Sequence, residues 1–127
     1  ARLNIMERFF FNFFIVFFLI TAPLAHAETH FIDELGDVPL MDGIQILDEA
    51  GYVFEQENGR LVERLAATNH SVEKAAEYYS KSLPALGWVK KDGTELWGLY
   101  QRDKEQLKIT FKKEGNLTLI FFKLNPR

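Results

Sequence analysis

After the N-terminal segment, one stretch, Ser71–Trp88, carries helical periodicity, and the apolar patterns around it read as strand. That limits the architecture to a single helix on a sheet. Ser71 is a good N-cap, because its hydroxyl can accept from an orphaned amide of the first turn. Val72, Ala75, Ala76, Tyr79, Leu83 and Leu86 recur at spacings of three and four, which lines them along one face. Glu73, Lys74, Glu77, Ser80 and Lys81 lie mostly opposite. Glu77–Lys81 has the favourable order for an ion pair one turn apart. Pro84 removes an amide donor and presses on the carbonyl of Ser80, which predicts a kink there or a helix that stops near Ser82. Gly87 suits the left-handed residue that ends a helix. Of the two tyrosines, one is expected in the core and one at the rim, with Trp88 buried where the chain turns back onto the sheet.

The strands follow from turn chemistry. Tyr52–Gln56 and Leu61–Ala67 flank Asn58-Gly59, a strong hairpin signal. Trp88–Lys91 and Glu95–Arg102 flank Asp92-Gly93, and Gly98 is expected to mark a bulge. Gln106–Lys112 alternates, with Leu107, Ile109 and Phe111 inward and Lys108, Thr110 and Lys112 outward. Leu117–Leu124 is apolar on both sides. The expected order is β-β-α-β-β-β-β. The fold class is α+β, a two-layer domain with one helix packed on a twisted antiparallel sheet.

Residues 1–27 read as a signal peptide. Arg8 precedes an apolar run over Phe9–Ile20, and Ala25-His26-Ala27 supplies an A-x-A cleavage site, making Glu28 the first mature residue. The apolar core of about twelve residues suits a leader and is short for a span, which needs roughly 20. Met6 reads as a start residue, with 1–5 as an upstream extension. The expected location is periplasmic or secreted. The alternative is an uncleaved leader anchored in the inner membrane, the only membrane contact the sequence suggests. The chain has no cysteine, which excludes disulfides and thiolate metal sites, so about a hundred mature residues must hold themselves by their core.

Residues 28–51 form an N-terminal arm, and residues 52–127 the α+β domain. Thr29–Leu35 could make one helical turn. Pro39 pushes Val38 toward an extended conformation, and Asp42-Gly43 is a turn. Leu40, Met41, Ile44, Ile46 and Leu47 are too apolar for a free linker, so the arm is expected to lie on the domain. The Asp37-Val38-Pro39-Leu40-Met41-x-Gly43 arm, the hairpin after it, and the Tyr78-Tyr79…Leu83-Pro84-x-Leu86-Gly87-Trp88 helix end resemble small exported bacterial proteins of unknown function. Asp42 stands where those proteins carry a proline. The resemblance implies location and architecture rather than an activity.

Charge is unevenly spread. Residues 28–57 hold nine acidic side chains and no basic one, whereas 90–127 hold nine basic against five acidic. Internal complementarity or two solvated faces explain this, and a basic face reading an anionic partner is the sharper alternative. The mature chain is acidic overall, with thirteen basic and seventeen acidic residues, which disfavours nucleic acid.

No catalytic, cofactor or metal residues are assigned. His30 and His70 form no ligand-spaced pair, and His30 with Asp33 and Glu34 is a thin cation set. Ser71-x-x-Lys74 has a serine–lysine acylase spacing but sits at a helix cap. No Gly-rich phosphate loop exists. The candidate partner-binding residues are Ile120, Phe122, Lys108 and Lys112. The helix is expected on the Leu117, Leu119 and Phe121 side and the arm over Ile120 and Phe122; if the arm does not cover them, they form an exposed apolar patch. The functional expectation is a non-catalytic periplasmic binding or accessory module, its partner an envelope protein or an anionic ligand. The alternatives are a membrane-tethered envelope subunit and a small enzyme with its site under the arm.

Overall fold

The computed structural model describes residues 30–127, so the leader and its cleavage after Ala27 lie outside the described residues. Seven strands and one α-helix follow in the order β1 (Ile44–Ile46), β2 (Tyr52–Gln56), β3 (Gly59–Thr68), α1 (Val72–Ala85), β4 (Val89–Gly93), β5 (Trp97–Arg102), β6 (Glu105–Glu114) and β7 (Leu117–Pro126). The fold is α+β, as the sequence implies, with one strand more than expected, because the arm itself contributes β1. All pairings are antiparallel, and the sheet order is β1-β3-β7-β6-β5-β4. β2 pairs with β3 alongside β1, so the two short strands share one outer edge of β3.

Ser71 caps α1, its hydroxyl accepting from the amide of Lys74 at 3.1 Å. The helix does not stop at Ser82. It runs through Pro84 to Ala85, because a proline in the last turn forfeits little of the hydrogen-bond ladder. The amide of Trp88 donates to Leu83 O and that of Gly87 to Pro84 O, both at 3.1 Å. Gly87 takes φ +92°, so this is a Schellman ending that only a residue tolerant of positive φ fits cheaply. The ending throws Trp88 back into the core.

The bulge expected at Gly98 lies instead in β4, where the register shifts between Lys90 and Asp92. Gly98 is glycine for another reason: a Cβ there would stand 2.7 Å from the ring of Tyr100. β4 also runs through Asp92-Gly93 rather than turning there. Its bulge and its Lys90-Lys91-Asp92 run protect the exposed edge from stray pairing.

The arm covers the same face of the sheet as the helix. Residues 30–40 close a loop, with Phe31 bridged to Pro39 and the Ile32 amide donating to Val38 O at 2.8 Å, in place of the expected helical turn. Ile32, Leu35, Val38 and Met41 point inward and share one buried cluster with Tyr79, Leu83, Trp88, Ile120, Phe122 and Leu124. Three anchors hold the arm. Tyr79 donates its hydroxyl to Pro39 O at 2.8 Å, Trp88 Nε1 donates to Asp37 O at 3.1 Å, and His70 Nε2 lies 2.9 Å from Asp42 O. Two ion pairs add to them, Arg64–Glu34 at 2.9 Å and Arg102–Asp37 at 2.8 Å. The second joins the acidic arm to the basic C-terminal half, as internal charge complementarity requires.

Tyr79 gives the fold a pH dependence. Its ring packs against Phe122 and Phe111 at 5.5 and 6.3 Å, and burial pushes its hydroxyl well above the ordinary phenol range. Unfolded, it would release its proton near about pH 10. Above that pH the unfolded chain binds fewer protons than the folded one, so stability is complete below about pH 10 and falls as pH rises. Tyr79→Phe is expected to reduce that alkaline slope. At neutral pH it should cost about 1–3 kcal/mol, because Pro39 O loses its buried donor. Urea midpoints from pH 7 to 11 test this, and an unchanged slope in the variant would assign the alkaline loss to the other tyrosines.

Candidate functional site: the open face of the sheet

In β7 the side chains of Thr118, Ile120, Phe122 and Leu124 enter the core, while Leu117, Leu119, Phe121 and Lys123 leave on the other side. This corrects two expectations. The helix packs over the Ile120 and Phe122 side, not over Leu117, Leu119 and Phe121. Ile120 and Phe122 are fully buried and present no surface to a partner. Lys108 and Lys112 do face solvent, on the face left uncovered.

Register defines that face. One row across the sheet is Glu63, Lys123, Lys108, Leu99 and Asp92; the next is Leu65, Phe121, Thr110 and Trp97. A third brings together Gln45, Ala67, Leu119 and Lys112. At the β2 edge, Tyr52 and Phe54 extend the apolar surface and are about half exposed. The result is an aromatic and aliphatic surface with lysines set into it.

Two features set its electrostatics. Lys108 and Lys123 are direct cross-strand partners in the middle of the sheet, an arrangement that is destabilising for like charges. Neither belongs to an ion pair among the described residues. Glu63 lies opposite Lys123 on its other side, and local desolvation, followed by the charge of Glu63, raises the pKa of Tyr52. The ammonium of Lys108 sits 5.3 Å from the ring centre of Trp97, a cation–π contact that fixes its stem across the face. A shallow depression of about 330 Å³ lies between the lysines, lined by Leu65, Thr110, Phe121, Lys108 and Lys123 among others. Lys112 is less free, with Glu114 at 3.7 Å.

The remaining sequence candidates are accounted for locally. The Ser71 hydroxyl is engaged by the Lys74 amide, so Ser71-x-x-Lys74 is a cap. His70 braces the arm at Asp42, and Gly43 is close enough that a Cβ there would stand 2.8 Å from the imidazole. The arm turns apolar Ile32, Leu35, Val38 and Met41 inward, and the Tyr79 hydroxyl and Trp88 indole beneath it are engaged by its backbone carbonyls. Among the described residues no group of three His, Cys, Asp or Glu side chains could hold a metal ion, and no helix is long and apolar enough to cross a membrane.

Sequence reasoning missed Phe121, Leu119, Trp97 and Lys123. A signal was present: Lys123 shares strand parity with Leu117, Leu119 and Phe121, and a lysine marks the solvent side of a half-buried strand. Comparison of the chain with family models, with curated proteins and with solved structures finds no match.

Proposed function

We propose that this chain is an exported, non-catalytic binding module that holds an anionic envelope protein on the open face of its sheet. The observation that carries the reading is the Lys108–Lys123 pair. The two lysines are cross-strand neighbours that belong to no ion pair among the described residues, beside exposed Phe121 and half-buried Trp97, with Glu63 on the far side of Lys123. An acidic side chain placed between them would relieve their repulsion, and apolar neighbours would bury Phe121 and Leu119. The leader supports export, and the apolar filling beneath the arm supports binding over catalysis.

A photo-crosslinking amino acid at position 121 tests the reading in the host envelope. A discrete protein adduct is expected there and not from position 81 on the outer helix face. Adding Lys108→Glu and Lys123→Glu should abolish the adduct, and rising salt should weaken it. Equal adducts from both positions, or an adduct indifferent to the charge reversals, would overturn the proposal.

A further inference from the structure

The helix does not span the full width of the face it covers. Between α1 and the β4–β5 hairpin runs a cleft of about 670 Å³. That is the size of a small-molecule site, which typically holds roughly 300–1,000 Å³. Val72 and Ala76 form the helix wall, Ile109 and Phe111 the floor, and Leu96 the far wall. Gly98 keeps the floor low and lets the Tyr100 ring lie against the strand.

The two ends of the cleft differ. The Thr118 hydroxyl donates to His70 O at 2.7 Å, and Arg102 donates to Leu86 O at 3.1 Å. The helix therefore starts beside Phe111 and Leu96 and ends toward Tyr100 and Arg102. At the start, the lining is apolar, with Glu73 and Glu95 exposed at the rim. Toward the other end Lys90 and Tyr100 are cross-strand partners, so their side chains leave the sheet together on the cleft side. Tyr100 is only 4 % exposed, and its hydroxyl takes part in none of the hydrogen bonds among the described residues. The hydroxyl is not sealed from solvent, and in the lining of the cleft it is free to donate to a ligand atom. Burial also raises its pKa.

We propose that this cleft binds a medium-chain carboxylic acid, with its carboxylate on Lys90 and the Tyr100 hydroxyl and its chain along Ile109, Phe111, Ala76 and Leu96. One lysine matches one negative charge. Glu73, Glu77 and Glu95 around the rim exclude a dianion by repulsion, and Glu77 is already paired with Lys81 at 2.7 Å. The site is separate from the open face, which lies on the other side of the sheet.

Octanoate, octylamine and octanol titrated into the purified protein test the assignment, followed by amide chemical shifts. Octanoate is expected to bind saturably and to shift Gly98 and Ala76, with octylamine at least tenfold weaker. Lys90→Gln and Tyr100→Phe should each lower octanoate affinity about tenfold, the loss of one hydrogen bond to a charged group. Ala76→Phe, which fills the cleft, should abolish binding while the remaining amide shifts report an intact fold. Equal affinity for octylamine, indifference to both Lys90→Gln and Tyr100→Phe, or shifts centred on Leu119 and Phe121 would overturn the proposal.

Discussion

Deleting residues 28–47 is expected to leave the chain unfolded at 25 °C. The arm contributes Ile32, Leu35, Val38 and Met41 to the core, each nearly or fully buried. At roughly 1.5–3 kcal/mol per buried side chain, their loss removes about 6–12 kcal/mol. A domain of this kind has only about 5–15 kcal/mol in total. The deletion also strips the acceptors of Tyr79 and Trp88, and it leaves Arg64 without Glu34 and Arg102 without Asp37. The bared surface would include Tyr79, Ile120 and Phe122, so aggregation should accompany unfolding. Circular dichroism melting and sedimentation check both. A cooperative transition shifted by less than about 5 °C, the effect of roughly 1 kcal/mol in a domain this size, would show that the arm is only a surface cover. Leu35→Ala gives a graded version, expected to cost about 2–5 kcal/mol.

Trp88→Ala is expected to cost about 3–5 kcal/mol, the range for deleting a buried aromatic side chain. Trp88 joins three parts of the molecule. It follows the Schellman ending of α1, its indole N–H reaches the arm at Asp37 O, and the Arg102 guanidinium stacks 4.6 Å from its ring centre. Arg102 in turn donates to Leu86 O at the helix end and to the Asp37 carboxylate. Removing the indole leaves a cavity and frees Arg102 from one face of its site. Trp88→Phe should cost less, because it keeps most of the burial and loses only the hydrogen bond to Asp37 O. Urea denaturation of the two variants measures this. A loss below about 1 kcal/mol for Trp88→Ala, the scale of a surface change, would place the side chain outside the cooperative core.

Local signals in the sequence were strong where chemistry acts over a few residues. Ser71, Gly87 and the apolar stripe specify α1, although Pro84 misleads about its last turn. The β2–β3 hairpin forms where Asn58-Gly59 announces it, with its two-residue turn one position earlier at Glu57-Asn58 because Gly59 pairs with Gln56, and the alternation of Leu107, Ile109 and Phe111 specifies the inward face of β6. The candidate site was half legible. Lys108 and Lys112 read correctly as outward, whereas Ile120 and Phe122, read as covered by the arm or else as a partner patch, are buried in one cluster with the arm and the helix.

What the sequence by itself determined is the helix and the six strands of the α+β domain, their parity and the absence of thiol chemistry, but not the arm's strand β1. Parity says which side chains travel together, because successive side chains in a strand alternate between faces. It does not say which face receives a cover. In β7 both parities are apolar, so the choice waited on pairing. Val62 to Thr68 in β3 and Leu107 to Glu114 in β6 bring Ile120 and Phe122 into register with Ala66, Arg64, Phe111 and Ile109. Only the tertiary structure then put the helix and the arm on that same side. Burying one large apolar cluster under both covers left Leu119, Phe121 and Trp97 facing out, with Lys108 opposed to Lys123 between them.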